Sequence, residues 1–186
     1  FCARSLLLLL LFPLVSLAFQ EQQMRAWTCH GRTQKEMVDR LKLANIVKSD
    51  TVYDLMTATD RKFYAPNHPY QDSPIPLPGT RQTISAPHVH AYALEEFVEH
   101  HKSTNGPLNV LDVGCGSGYL TGCLARWVQP TGGHVYGIDI YENLVNLTRN
   151  NLHNDDPNLL NSITLQTANG WEGLPETAPF HAIHVG

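Results

Sequence analysis

Apolar residues recur along this chain in two rhythms, and the change comes near residue 107. Before it the spacing is helical. Thr33, with Glu36 three residues on, reads as a capping box opening a helix to about Ile46, with Met37, Val38, Leu41 and Ile46 on its apolar face. Ser49 caps a second helix in which Val52, Leu55 and Met56 face inward. Pro66, Pro69, Pro74, Pro76 and Pro78 exclude helix and central strand from the next stretch, which is predicted as an extended surface loop. A third helix starts at Ser85-Ala86-Pro87 and runs to about His101; His100 and His101 suit the negative end of its dipole.

Beyond Leu108, short apolar runs alternate with amphipathic segments. Strands are predicted at Val110–Val113, His134–Ile138, Ile163–Gln166 and His181–Val185, with helices at Gly118–Val128 and Glu142–Leu152. Strands separated by helices imply right-handed crossovers and a parallel sheet, so the fold class is a doubly wound, Rossmann-like α/β domain. The chain divides into a hydrophobic leader (1–18), an N-terminal helical and loop region (24–106) and the sheet core (107–186).

The first core strand runs into Gly114, Gly116 and Gly118 within NVLDVGCGSGYL, carrying Asp112 and Cys115. A strand, a glycine turn and a helix start form the place where such sheets hold nucleotide-like ligands. The spacing is G-x-G-x-G. A dinucleotide fingerprint needs a third glycine where this chain has Tyr119, which argues against a nicotinamide dehydrogenase and for an adenosyl ligand without a pyrophosphate. S-adenosylmethionine is the first candidate. Asp139 lies 21 residues beyond Gly118 at the end of the second strand, where an acid bonds ribose hydroxyls; a helix N-cap is the plainer alternative. Asn169-Gly170 follows the third strand, either as a contact to the adenine edge or as a simple turn.

At 186 residues, 42% hydrophobic and 16% charged, the chain suits one globular domain. A net charge of −4 without a dense Lys/Arg run argues against nucleic acid as a partner. Its four cysteines and ten histidines fall into no zinc, disulfide or metal-ligand pattern, so no metal is expected. The leader has signal-peptide anatomy, too short and Pro-interrupted to be a good membrane span; the alternative is an upstream extension with Met24 as the start. The sequon Asn146-Leu147-Thr148 matters only if the leader is a signal. Asn105-Gly106 and Asn169-Gly170 are themselves open to deamidation. Because the chain starts without Met and stops after an apolar strand, it reads as a fragment.

Two blocks, GTRQTISAPHVHAYA (79–93) and LDVGCGSGYLTGCLAR (111–126), supported by ATDRKFYAP, HPYQDSP and AIHVG, resemble the protein-L-isoaspartate (D-aspartate) O-methyltransferase family over about 24–186. The glycine turn is shared by many methyltransferases; the TISAPH block is specific to this family. The resemblance implies a class I S-adenosylmethionine-dependent fold truncated at its C-terminus. It also implies a cytoplasmic monomer acting on isoaspartyl proteins and peptides. It assigns Ser85 to the active site, and Gln82, Thr83, Ile84 and His90 to the loop over the cofactor. Asp112, the glycine turn with Cys115, Asp139 with Ile140, and Asn169 with Gly170 complete the cofactor pocket. The family usually has an acid where this chain has Asn169, and serine is common at Cys115.

The implied reaction methylates the free α-carboxylate of an isoaspartyl residue. A carboxylate with an ordinary pKa near about 4 is ionised at pH 7, so no general base is required and orientation and desolvation carry the rate. From the residues alone, Ser85 reads first as a helix N-cap, and a packed helix residue is the alternative for His90. The rival to an enzyme is a truncated binding module, since a four-strand half-sheet leaves apolar edges exposed.

Overall fold

The computed structural model describes residues 28–104 and 106–186. The leader, Met24 and Asn105 lie outside them. Three helices open the described chain: α1 (Gln34–Leu43), α2 (Asp50–Ala58) and, after a loop, α3 (Pro87–His101). Thr33 Oγ1 accepts from Glu36 N–H as the pattern predicts, but Glu36 reciprocates one residue early, accepting from Arg32 N–H at 2.9 Å. The first helix stops before Ile46. Asn45 takes φ 58°, Asn45 N–H returns to Lys42 O and Ile46 N–H to Leu41 O, a Schellman ending that buries Ile46 without helix. The second helix matches its prediction, with Ser49 as cap and Val52, Leu55 and Met56 buried.

The proline-rich stretch is extended, as expected, but it is not all surface. Ile75–Pro76 (β1) pairs antiparallel with Thr83–Ile84 (β2), and Ile75, Leu77 and Ile84 are buried under the hairpin. Pro76 is tolerated because a two-strand ribbon leaves each strand an unpaired edge. Asp72, wholly buried, ties this stretch to α3 by accepting from His88 N–H and His88 Nδ1–H and from Cys29 N–H.

The core sheet contains β3 (Asn109–Val113), β4 (His134–Asp139), β5 (Ile163–Thr167) and β6 (Ala182–Val185), all parallel, in the order β5-β4-β3-β6. Each predicted strand is present within a residue or two. Helix α4 (Tyr119–Val128) follows β3 and α5 (Glu142–Asp155) follows β4. Eight of the ten residues of α4 are buried, because the sheet lies on one side and α2 and α3 on the other. One hydrophobic cluster therefore runs from Met37 and Met56 through Leu124 to Val135 and Leu159, joining the N-terminal region to the core. The order of strands reverses at β3: the chain leaves it toward β4 and returns on its other side as β6. That crevice, at the carboxyl ends, is where a ligand has room. No helix among the described residues is long and apolar enough to cross a membrane.

Candidate functional site

A cavity of about 600 Å³ opens at this reversal, between the carboxyl ends of the four core strands and the β2 segment. Its floor is the glycine turn. Gly114, Gly116 and Gly118 take φ of 82°, 55° and 85°, a region that costs other L-residues energy. The N–H groups of Gly114 and Cys115 donate to Ile138 O, and Gly116 N–H donates to Asp139 Oδ2 at 3.2 Å. Three of the turn's amides are thereby committed to the end of β4 and are not available to a pyrophosphate. Gly118 does not line the cavity. A Cβ there would lie 2.7 Å from Thr148 Cγ2 of α5, so this glycine allows the two helices to close on each other. The sequon threonine is thereby explained: Thr148 is buried and donates to Gly116 O at 3.0 Å, bracing the turn from behind.

The opposite wall is the TIS segment. Gln82, Thr83, Ile84 and Ser85 all line the cavity. Ser85 is exposed there, and among the described residues its hydroxyl has no protein partner. Helix α3 is capped by Ala86, without any side-chain bond, so the capping alternative for Ser85 does not hold. Behind the wall sits Arg61, wholly buried. It donates to Pro69 O (2.9 Å), to Ser85 O (3.2 Å) and to His90 Nδ1 (3.2 Å), and its guanidinium lies 4.9 Å from the Tyr119 ring centre. Burial lowers its pKa to about 10, which still leaves it charged at neutral pH. His90 is buried in α3 and also lines the cavity; burial, and then the Arg61 cation, push its pKa well below 6.5.

The remaining predicted residues meet at the strand ends. Asp112, buried, accepts from Thr121 Oγ1 at 2.6 Å through one oxygen and from His184 Nδ1–H at 2.9 Å through the other. It lines the cavity, but its oxygens are already engaged. Asp139 accepts from Gly116 N–H and from Tyr141 N–H at 3.0 Å; helix α5 has Tyr141 as its cap, so Asp139 is not the N-cap. Each carboxylate oxygen has a second lone pair, leaving Asp139 able to accept from a hydroxyl. Ile140, 63% exposed, flanks it with apolar surface. Cys115 lines the cavity, and burial pushes its thiol pKa up to about 12. Asn169 and Gly170 complete the rim. Asn169 Oδ1 accepts from Trp171 N–H, and a Cβ on Gly170 would strike Val113 Cγ1, so the loop lies directly on β3.

A family model for protein-L-isoaspartate(D-aspartate) O-methyltransferase (PCMT) matches residues 32–186. The chain belongs to this family. It is 38% identical over 163 residues to a protein-L-isoaspartate O-methyltransferase of Caenorhabditis elegans, covering 87% of this chain and 70% of that one. It is 39% identical over 155 residues to the Triticum aestivum protein of the same name, covering 81% and 65%. A Plasmodium falciparum protein-L-isoaspartate O-methyltransferase, solved in complex with S-adenosyl-L-homocysteine, superimposes with a TM-score of 0.74 at 33% identity, covering 84% of this chain and 74% of that one. The chain thus spans roughly two thirds to three quarters of these relatives.

Within this PCMT fold, the cavity gathers every residue singled out from the sequence except Gly118. Sequence reasoning missed Arg61, Tyr119 and His184. Arg61 and His184 stand inside the blocks that carry the family resemblance, but no local pattern marks a charged residue as buried or a histidine as strand-end. Asn169, where the PCMT family usually has an acid, also finds an explanation. Its amide donates to Glu172 Oε1 at 3.3 Å, a contact that a carboxylate would turn into repulsion.

Proposed function

We propose that this chain is a protein-L-isoaspartate O-methyltransferase that uses S-adenosylmethionine to methylate the free α-carboxylate of isoaspartyl, and D-aspartyl, residues in damaged proteins, beginning their repair. The observation that carries the reading is the pairing of a partner-free Ser85 hydroxyl with a glycine turn across one cavity. The residues fit an adenosyl group. The Gly114, Cys115 and Gly116 amides are engaged with β4, Asp139 retains lone pairs for hydroxyls, and Ile140 offers an apolar flank. When bound, the cofactor supplies an electrophilic methyl on a sulfonium. Gln82, Thr83, Ile84, His90, Asp112, Gly114, Cys115, Gly116, Asp139, Asn169 and Gly170 form its surroundings in this reading, with Gly118 supporting the turn.

The protein's own part is placement. Ser85 donates its hydroxyl hydrogen to one oxygen of the substrate carboxylate, leaving the other free to attack. No side chain has to remove a proton, because the carboxylate arrives ionised at neutral pH. The TIS wall strips water from that carboxylate, and a less hydrated anion is a stronger nucleophile toward a cation. The buried Arg61 charge behind the wall favours an anion at its surface. The substrate is a protein, not a nucleic acid, as the net charge of −4 favours. Free buried thiols at Cys115 and Cys123 suit a reducing compartment, and we place the enzyme in the cytoplasm as a monomer.

The test is transfer of labelled methyl to an isoaspartyl peptide and to its normal aspartyl twin. Base-labile label on the first alone is the expected result. Label on both would remove the specificity, and label on neither, with S-adenosylhomocysteine still bound, would identify a binding module.

A further inference from the structure

We propose that Arg61 is a positioning residue that locks His90 in its Nε2–H tautomer and so makes that imidazole a fixed donor, in the cavity wall beside Ser85, for a carboxylate oxygen. The carboxylate rests on the function proposed above; the tautomer does not. Arg61 sits in a short 3-10 turn (Arg61–Phe63) whose backbone is anchored by Gln34 Oε1, which accepts from Arg61 N–H at 3.1 Å. Three acceptors from three parts of the chain hold its guanidinium: Pro69 O from the proline-rich stretch, Ser85 O from the TIS segment and His90 Nδ1 from α3. The Tyr119 ring covers it, and among the described residues no carboxylate forms an ion pair with it.

A guanidinium only donates, so the atom it faces must accept. His90 Nδ1 therefore carries the lone pair. The ring, kept neutral by burial and by the neighbouring cation, then has its hydrogen on Nε2. Nε2 has no protein partner among the described residues and is not sealed off, and His90 lines the cavity. The other two histidines near the site have the opposite arrangement. His88 Nδ1 meets Asp72 at 2.7 Å and His184 Nδ1 meets Asp112 at 2.9 Å, and a buried carboxylate acceptor requires hydrogen on Nδ1. On α3, two residues apart, the Nδ1 of His88 thus donates to an anion while the Nδ1 of His90 accepts from a cation. Because the same guanidinium holds the Ser85 carbonyl, one buried charge aligns both polar groups of the wall.

Long-range ¹H–¹⁵N spectra of histidine-labelled protein test the lock without any activity, with the His90 signals assigned from Nε2 and Nδ1 losses in His90→Gln. The expected result is a single Nε2–H tautomer for His90 from about pH 8 to about pH 5.5, where an ordinary histidine of pKa about 6.5 would protonate. An Nδ1–H tautomer or ordinary protonation overturns the proposal. Arg61→Gln, whose side chain both donates and accepts, is expected to mix the tautomers, and a folded variant with the tautomer unchanged removes Arg61 from the role. Because that variant strips a buried charge and can fail to fold, a second pair decides independently. His90→Gln keeps an amide donor near the Nε2 position whereas His90→Asn places it near Nδ1, so His90→Asn is expected to lose about threefold or more kcat/KM beyond whatever His90→Gln loses. Equal loss in both overturns the proposal. A weakened S-adenosylhomocysteine Kd in His90→Asn assigns the oxygen to the amino-acid end of the cofactor. A raised KM for the isoaspartyl peptide with Kd unchanged assigns it to the substrate.

Discussion

The two walls of the cavity are held in opposite ways. The glycine turn is braced along its length, its Gly114, Cys115 and Gly116 amides closed onto β4 and its back packed on Thr148. The TIS wall is a two-residue ribbon whose inner face hangs on one buried cation. Rigid local geometry suits the side that grips a cofactor; a thin wall with an unengaged hydroxyl suits the side where substrates come and go. Perturbing the first should therefore damage the fold, and perturbing the second should damage the chemistry.

The largest effect is expected at Gly118→Ala. The new Cβ meets Thr148 at 2.7 Å in a backbone with φ 85°, and steric strain and overpacking together should cost about 2–4 kcal/mol, read as a shift in denaturant midpoint. Next comes Ser85→Ala. Its side chain is exposed and caps nothing, so stability should stay within about 0.5 kcal/mol and S-adenosylhomocysteine Kd within about twofold, while kcat falls about tenfold or more. Equal loss of binding and turnover would make the two walls alike.

Acid should weaken the TIS side. With the His90 pKa held below its ordinary 6.5, the unfolded chain binds a proton there that the folded chain refuses. This contribution is complete above pH 6.5 and is lost as pH falls from there toward the folded pKa. Urea titrations across that window should show the decline, and His90→Gln should flatten it. The smallest effect belongs to the turn side. Burial raises the Cys115 thiol to about 12 and the Cys123 thiol to about 11 from an ordinary 9, so both stay protonated in the native state at pH 8. Iodoacetamide should label them slowly until urea unfolds the chain, with mass spectrometry giving the sites. The stability these thiols contribute should fall as pH rises beyond 9, where only the unfolded chain ionises them.

The same contrast decides what could be read from sequence. Val110–Val113 with its glycines announces a strand, a turn and a helix within twelve residues, because an apolar run, three glycines and an amphipathic start mark them locally, although Ile138, Asp139 and Thr148 hold the turn from farther along the chain. All four core strands were legible for that reason. The short strand at Ile75–Pro76 was not, since prolines spoke against it and only pairing with Thr83–Ile84 creates it. Ile46 was placed on a helix that ends three residues earlier, because its burial comes from a Schellman turn and not from the 3.6-residue period. Ser85 read first as a cap, and it is Ala86 that caps the helix. Arg61 was invisible because a charged residue reads as solvent-facing, and its three acceptors lie 8, 24 and 29 residues away.

Asp112 carries a consequence for the order in which this molecule is made. Its partner on α4, Thr121, is nine residues downstream, but its register partner on β6, His184, is 72 residues downstream. On the ribosome, β3, β4 and β5 can pair while one oxygen of a carboxylate bound for the interior still lacks its imidazole. Only when β6 arrives is that charge fully satisfied and the crevice between β3 and β6 closed on both sides. The glycine turn is thus made well before the strand that completes the bonding of Asp112, and the pocket it floors waits for β6.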